Sequence, residues 1–341
     1  MDLMDLHDVA AIVRGAVEDA KVGVVPIGAG THREVANPVA DGCDEIRIPN
    51  GIVSYDPNDM TITAFAGTPI AELNRVLCGH RQEVSLDPRN DAATLGGVLA
   101  CGLSGIRRLR LGPIRDTVLE VRLIDGRGTL VKGGGPVVKN VTGYDLPRLV
   151  VGSFGTLGVI LQATLRCRPA PAQQQWFCSS ETPSYLRRKL FRPSAVLWDG
   201  TSTSVLLEGY SDDIASESKS ADLDGMLSSP PLFPNGANRG RISVDPRRLA
   251  ALTQRLGGLD GVRFVAEFGV GTVHIAADED LAFVAARAAA VAEGGWMLRE
   301  CGGPPGFGGF GSNIANPALS ERVRLAFDPL GKLSPGRMVD V

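Results

Sequence analysis

Segments rich in glycine and other small residues divide the first half of the chain, and they limit its fold more than any other feature. Residues 26–33 read Pro-Ile-Gly-Ala-Gly-Thr-His-Arg and follow an apolar run, residues 22–27, that predicts a buried strand. Glycine makes up 42 of 341 residues, about 12% against a usual ~7%. Such a loop lets backbone N–H groups approach a phosphate closely, although an ordinary turn explains this segment equally well.

The second segment, residues 91–105, reads Asp-Ala-Ala-Thr-Leu-Gly-Gly-Val-Leu-Ala-Cys-Gly-Leu-Ser-Gly. Thr94 is a candidate helix N-cap, and the start of a helix offers unpaired N–H donors that favour an anion. The small side chains also leave room for a flat ring against the backbone. The alternative is a tightly packed contact between helices. Neither segment carries the Walker pattern or the dinucleotide-binding fingerprint.

The third segment runs from Lys139-Asn140-Val141-Thr142-Gly143-Tyr144-Asp145-Leu146 to a glycine-rich turn at residues 152–158. Around these segments the pattern predicts a helix over residues 6–20, a hairpin over 116–132 and a buried strand over 159–165. Proline and glutamine then break the pattern, which predicts a domain boundary near 169–175.

The second half predicts a smaller α+β unit. The apolar patterns indicate strands at 195–198, 203–208, 262–267, 271–276 and 295–299, and helices near 211–226, 245–256 and 278–293. Residues 228–240 and 302–311 are rich in glycine and proline and predict loops.

The composition excludes several classes of function. The net charge is −3 and aromatic residues make up 5%, so neither a basic nucleic-acid surface nor a base-stacking platform is expected. The six cysteines form no CxxC pair, which argues against a disulfide framework, a zinc site or an iron–sulfur site. No signal peptide and no membrane span is expected, and the cytoplasm is the expected compartment.

Three motifs together resemble the PCMH-type FAD-binding domain of the vanillyl-alcohol oxidase superfamily. They are Ala-Thr-Leu-Gly-Gly at 93–97, Lys-Asn-Val-Thr-Gly-Tyr-Asp-Leu at 139–146 and Gly-Ser-Phe-Gly-Thr-Leu-Gly-Val-Ile at 152–160. Residues 51–57 and 100–105 narrow the resemblance to the FAD-binding subunits of bacterial glycolate oxidases. Asp328-Pro329-Leu330-Gly331 and Pro335-Gly336-Arg337 resemble the closing motif of that family.

This resemblance implies an α+β fold, with a two-lobed FAD-binding domain and a smaller α+β cap domain built on an antiparallel sheet. The implied FAD-binding domain covers residues 1–170, with its lobes dividing near residue 50. The implied cap domain covers 171–300, and residues 301–341 return to the FAD-binding domain.

The resemblance also implies which residues contact the cofactor, a non-covalently bound FAD. The first loop and the segment around Thr94 would hold the pyrophosphate, the segment around Cys101 would lie near the flavin ring, and the backbone of strand 159–165 would meet the adenine or ribose. The implied contacts are Pro26, Gly28, Ala29, Gly30, Thr31, His32, Pro88, Thr94, Gly96, Gly97, Cys101, Gly102, Ser104, Gly105, Arg110, Gly158, Val159 and Ile160.

Catalytic residues are less well indicated. Relatives that oxidise 2-hydroxy acids carry two histidines in a cap-domain motif, and the matching stretch, residues 267–274, begins with Glu267 and ends with His274. One histidine is too few for a metal site, so no metal is expected. His274, Arg299 and Tyr144 remain weak catalytic candidates.

The resemblance implies a subunit that oxidises a small 2-hydroxy acid, glycolate to glyoxylate, by hydride transfer to FAD. A second flavin subunit and an iron–sulfur subunit are the implied partners. Two alternatives stay open: a flavin-binding scaffold or electron relay without substrate chemistry, and a stand-alone FAD-dependent dehydrogenase of D-lactate or a sugar acid.

Overall fold

The computed structural model describes residues 5–135, 145–223, 225–311 and 316–338 of the chain. Most of the motif at 139–146, including the catalytic candidate Tyr144, therefore lies outside the described residues.

The strands of the described residues form four sheets. A small parallel pair joins β1 (Val24–Pro26) to β2 (Asp44–Ile46). A five-stranded antiparallel sheet has the order β3 (Ile52–Asp56), β4 (Thr61–Phe65), β8 (Val159–Arg166), β6 (Val118–Ile124) and β7 (Leu130–Gly134). The pairing of β6 with β7 confirms the predicted hairpin. Two short strands, β5 (Gln82–Glu83) and β9 (Arg168–Pro169), pair beside this sheet.

The second half forms an eight-stranded antiparallel sheet. Its order is β13 (Gly225–Leu227), β10 (Gln173–Ser179), β12 (Thr203–Gly209), β11 (Ala195–Trp198), β15 (Val262–Glu267), β16 (Thr272–Ala277), β14 (Asn238–Ser243) and β17 (Trp296–Cys301). The predicted α+β class, with a cap domain built on an antiparallel sheet, is confirmed. The domain limits at residues 170 and 300 stay a prediction.

The helices cover the sheets and shield their apolar faces from water. They are α1 (Leu6–Asp19), α2 (Ile70–Cys78), α3 (Leu95–Cys101), α4 (Arg108–Leu111), α5 (Leu146–Val150), α6 (Pro183–Lys189), α7 (Ser211–Ser220), α8 (Leu249–Gly257), α9 (Asp280–Ala292) and α10 (Pro317–Phe327).

Three predicted elements of the second half were wrong in extent. The helix predicted over 211–226 ends at Ser220, and residues 225–227 form the edge strand β13 instead. The loop predicted over 228–240 ends where β14 begins, at Asn238. The helix predicted near 245–256 begins only at Leu249. Strand β10 was not predicted, because its first three residues are glutamines and its apolar residues come later.

Strand β8 connects two hydrophobic cores, because its side chains alternate between the faces of the sheet. Val159 and Leu161 pack with helix α1 and with Leu333 of the C-terminal tail. Ile160 packs on the other face with α2 and α3. The strand is therefore buried on both faces as far as Leu165, which accounts for its mainly apolar sequence.

A buried ionic network joins the two halves of the chain. Arg107 donates hydrogen bonds to Asp87 at 2.6 Å, to Glu83 at 2.9 Å and to Glu208 of β12 at 3.0 Å. The side chain of Glu208 is fully buried and also accepts from Gln174. One guanidinium therefore neutralises carboxylates from both halves of the chain.

We expect Arg107→Met to destabilise the protein by about 3–5 kcal/mol, because it leaves Glu208 buried without its cation. Chemical denaturation measures the loss of unfolding free energy. Arg247→Met, which removes a fully exposed ion pair with Asp245, should leave the unfolding midpoint unchanged. Equal effects of the two substitutions would contradict the assigned role of the network.

Candidate functional site

The first cavity lies where the loop after β1 meets the start of helix α3. Its walls include residues 25–33, Thr94, Gly97, Ala100 and Cys101. A Cβ on Gly28 would lie only 2.0 Å from the hydroxyl oxygen of Thr94, so this position has room for glycine alone. The two glycine-rich segments therefore pack directly against each other.

A second cavity continues the first, because seven residues line both of them. The shared residues are Pro26, Ile27, Gly28, Thr94, Gly97, Ala100 and Gly155. The second cavity extends past Gly96 to Gly158 and Ile160. We call the two together the glycine cleft. Its walls are mainly backbone and small side chains, as a long, partly flat ligand requires.

The donors for an anion in this cleft lie on the loop after β1. The backbone N–H groups of residues 28–32 donate to no other atom of the described residues. Helix α3 contributes fewer donors than the sequence indicates, because Leu95 N–H donates to Thr68 and Gly96 N–H to Ala66, at 2.8 and 2.7 Å. The unpaired donors that the sequence indicates at the helix start therefore do not include these two groups. Thr94 is the predicted N-cap, and its hydroxyl accepts from Gly97 N–H.

Arg337 places a buried positive charge in the wall of the first cavity. Its guanidinium donates to the carbonyl oxygens of Val35, Asn37 and Arg33 at 2.7–2.8 Å. It forms no ion pair with any residue that the structure describes. Burial lowers its pKa from the ordinary value for arginine, but a guanidinium stays protonated. A buried cation without a carboxylate favours an anionic ligand in the cleft.

The sequence did not single out Arg337, although the closing motif contains it. The available signal was a cation within residues 333–338, a stretch whose other members are small or apolar. The tail returns to β1, where Ser334 N–H donates to the carbonyl of Val24. That return brings Arg337 to a loop about 300 positions earlier in the chain.

His32 and Cys101 line the same cavity in uncharged form. Burial lowers the pKa of His32 below its ordinary value, and its Nδ1 lies 2.9 Å from the hydroxyl of Thr31. Burial raises the pKa of the Cys101 thiol to about 12. Neither side chain therefore competes with a phosphate for the positive charge of the wall.

A third cavity, of about 230 Å³, lies between the end of α3 and the cap-domain sheet. Cys101 and Phe154 line both this cavity and the first one. Ser243, Thr272 and Trp296 of the cap domain form its far wall. The third cavity therefore opens beside the glycine cleft at Cys101.

Three arginines, Arg108, Arg115 and Arg241, line the third cavity, and no acidic residue of the described ranges does. We call it the arginine cavity. Arg241 is half-buried and donates to the carbonyl of Ser104 at 3.0 Å. The guanidinium of Arg108 makes no hydrogen bond or ion pair within the described part of the chain. This surplus of positive charge suits a small carboxylate.

The catalytic candidates named from the sequence lie elsewhere. Arg299 donates to the carbonyls of Ala36 and Gly302, so backbone groups occupy its guanidinium. His274 is buried against Glu267. Neither residue lines one of the three cavities.

Most of the predicted cofactor contacts, by contrast, line one of the three cavities. Fourteen of the eighteen line the glycine cleft or the arginine cavity: Pro26, Gly28, Ala29, Gly30, Thr31, His32, Thr94, Gly96, Gly97, Cys101, Gly102, Ser104, Gly158 and Ile160. Pro88, Gly105, Arg110 and Val159 do not. Val159 is buried in the core with α1, Gly105 packs on Asp87, and Arg110 donates to the carbonyl of Glu208.

The described residues were also compared with what a metal site and a membrane span require. Within the described ranges no three histidine, cysteine or acidic side chains cluster closely enough to hold a metal ion. No described helix has the length and apolar character needed to cross a membrane.

Comparisons with known proteins agree with the geometry of the cleft. Residues 4–134 match the family model described as an FAD binding domain. The chain is 40% identical over 161 residues to glycolate oxidase subunit GlcE of Escherichia coli (strain K12), covering 47% of this chain and 46% of the relative. It is 33% identical over 158 residues to D-lactate dehydrogenase [cytochrome] 1, mitochondrial, of Saccharomyces cerevisiae, covering 45% and 27%.

The fold also resembles a solved structure of alkyldihydroxyacetonephosphate synthase. The TM-score is 0.69 at 14% identity, over 97% of this chain and 74% of that chain. The aligned regions span less than half the length of the two curated relatives. The predicted PCMH-type FAD-binding domain and the predicted resemblance to a glycolate oxidase subunit are both confirmed.

We expect Gly97→Val to lower the affinity for FAD by roughly tenfold or more, about 1.4 kcal/mol. An added Cβ would meet only the Thr94 hydroxyl, at 3.3 Å, so the larger side chain must occupy the cleft. The flavin absorbance of the purified protein, set against its circular dichroism, measures the loss.

Gly15→Val in helix α1 is the matched control, because a Cβ there meets no atom within 4 Å. It should bind FAD as the wild type does. A folded Gly97→Val protein with full flavin content would contradict the position of the cleft.

Proposed function

We propose that this chain binds FAD non-covalently in the glycine cleft and oxidises a small 2-hydroxy acid, glycolate being the first candidate. One observation carries the proposal: Cys101 and Phe154 line both the glycine cleft and the arginine cavity. A ligand in the cleft and a small acid in the cavity would therefore meet at these two side chains.

The residues of the cleft fit an FAD molecule. The unpaired N–H groups of residues 28–32 and the buried cation of Arg337 would hold the pyrophosphate. The small residues of α3 would lie beside the flavin ring. When bound, FAD supplies an acceptor for the hydride of the carbon that bears the hydroxyl.

The residues of the arginine cavity would orient the substrate. Arg108 and Arg241 would neutralise its carboxylate, and charge-assisted hydrogen bonds of this kind are the strongest that side chains form. The hydroxyls of Ser243 and Thr272 line the same space and would hold the substrate hydroxyl. The cavity walls thereby set the orientation of the acid before it reacts.

The alternative of a scaffold or electron-relay subunit has one observation in its favour. Among the described residues, no histidine, lysine, aspartate or glutamate lines the arginine cavity, and proton abstraction needs a base within hydrogen-bond reach. A stand-alone D-lactate or sugar-acid dehydrogenase would need such a base in this chain. The missing base favours a subunit over a stand-alone enzyme.

The assembly and the compartment are also part of the proposal. One relative, 40% identical over 161 residues, is named as a subunit, so we propose a complex with a second flavin subunit and an iron–sulfur subunit. All six cysteines are free thiols, which suits the cytoplasm.

The test is to purify the chain, record its flavin spectrum, and add glycolate or D-lactate without oxygen. Loss of the oxidised flavin absorbance supports substrate chemistry by this chain alone. Flavin that stays oxidised until partner subunits are added supports the subunit proposal over the stand-alone one. Flavin that stays oxidised even in the complex favours the scaffold. A folded protein that takes up no FAD contradicts the proposal altogether.

We expect Arg108→Gln to raise the half-saturating glycolate concentration for flavin reduction by roughly 10- to 100-fold, since it removes a charged hydrogen bond of about 1.5–3 kcal/mol. Flavin content should stay unchanged, because Arg108 does not line the glycine cleft. Arg75→Gln on the exposed side of helix α2 is the matched control and should change neither quantity. Unchanged glycolate saturation in Arg108→Gln would contradict the carboxylate role.

We expect acid precipitation to release all of the flavin into the supernatant, because the proposed binding to the cleft involves no covalent bond to His32. The flavin absorbance of the supernatant and of the redissolved pellet measures how much flavin each contains. His32→Ala should give the same distribution. Flavin that stays with the wild-type pellet but not with the variant would show covalent attachment.

A further inference from the structure

A buried pair of side chains, Glu267 and His274, remains outside the roles described so far. Nε2 of His274 lies 2.5 Å from Oε1 of Glu267, and the two side chains are 3% and 2% exposed. The other oxygen of Glu267 and Nδ1 of His274 are also buried, and neither has a hydrogen-bond partner among the described residues. Buried polar atoms without partners are costly, so the pair calls for an explanation.

The strand register places this pair directly behind the wall of the arginine cavity. Arg241 of β14 is paired with His274 of β16, and Ser243 with Thr272. Thr272 is paired in turn with Glu267 of β15. Paired residues and residues two apart lie on one face of a sheet. Glu267 and His274 therefore share the face from which Arg241, Ser243 and Thr272 line the cavity.

Charged side chains from outside strands β15 and β16 also act on Glu267. Burial raises the pKa of Glu267 to about 7, and the charges of Arg241, Arg89 and Arg108 oppose that rise. Glu300 acts on Arg241 and lies 3.4 Å from Arg89.

Aromatic contacts close the remaining side of the pair. The ring of Phe233 meets His274 edge to face at 4.8 Å, and Arg89 lies 4.6 Å from the same phenyl ring. The pKa of Glu267 thus lies near neutral pH, and the half-buried Arg241 of the cavity wall is the first of the charges that act on it.

We propose that Glu267, held by His274, sets the net charge at Arg241 and thereby makes the carboxylate affinity of the arginine cavity depend on pH. This inference rests on the proposed function, which assigns the cavity to a 2-hydroxy acid. Glu267 does not line the cavity, so it is a positioning residue that acts through Arg241.

The direction of the effect follows from the charges. Above neutral pH the ionised Glu267 offsets the positive charge of Arg241 and weakens its attraction for an anion. Below neutral pH the carboxyl is protonated, and the charge of Arg241 acts on the ligand alone. By linkage, a bound anion raises the pKa of Glu267, so binding takes up a proton and the dissociation constant rises with pH, by about tenfold per pH unit at most.

The experiment uses the FAD-loaded full-length protein and oxalate, a carboxylate that has no hydroxyl-bearing carbon to oxidise. Calorimetry gives the dissociation constant at about pH 6 and about pH 8.5, on either side of the Glu267 transition. Repeating the titration in two buffers of different ionisation enthalpy gives the number of protons taken up. We expect roughly fivefold weaker binding at the higher pH, with uptake of a fraction of a proton.

Glu267→Gln should bind oxalate with the tighter constant at both pH values and take up no proton, because the amide stays uncharged. Glu293→Gln is the matched control: that carboxylate is 6% exposed, but helix α9 packs on the opposite, apolar face of the sheet. It should behave as the wild type. The proton uptake of the wild type tests the inference even if Glu267→Gln does not fold.

Two outcomes would overturn the inference alone: wild-type oxalate binding that is independent of pH, or a pH dependence that persists in Glu267→Gln. In either case the binding of oxalate would still support the proposed cavity. Absence of oxalate binding to the FAD-loaded protein at both pH values would overturn the assignment of the cavity, and the inference with it.

Discussion

The contact between Gly28 and the Thr94 hydroxyl is the constraint on which the rest of the site depends. At this contact the loop after β1 packs directly against Thr94, the N-cap of helix α3, with no room for a side chain at Gly28. The loop then presents a row of unpaired N–H groups, while the first N–H groups of α3 donate to neighbouring carbonyls. Helix α3 therefore contributes a wall of small residues, and the loop after β1 contributes the hydrogen-bond donors.

Arginine side chains lie in the walls of both the glycine cleft and the arginine cavity. Arg337 lies in the wall of the glycine cleft, and Arg108 and Arg241 lie in the wall of the arginine cavity. None of these three forms an ion pair with a described residue. Arg107 is the contrast, because it is saturated by carboxylates from both halves of the chain. One arginine therefore stabilises the assembly of the sheets, and the others remain available to anions.

Much of the cleft was predictable, because its residues are local in the chain. Glycine, threonine and alanine at fixed spacing predict a loop and a capped helix, and the cap at Thr94 is as expected. The sequence leaves open which groups are paired. The sequence does not reveal that Leu95 and Gly96 donate to carbonyls of another segment, or that the guanidinium of Arg299 is bound by backbone. Hydrogen-bond partners distant in sequence decide whether a donor is free.

The sequence by itself determined the α+β class, the glycine-rich segments and their likeness to an FAD-binding domain, since these follow from local pattern and motif order. Only the tertiary structure decided which charges meet. Arg337 reaches the cleft because the tail pairs with β1, and Arg241 reaches the cavity because β14 is paired between β16 and β17. Pairing between strands distant in sequence positions these arginines. The free energy of that pairing depends on contacts across the whole sheet, so no single segment of the sequence reveals it.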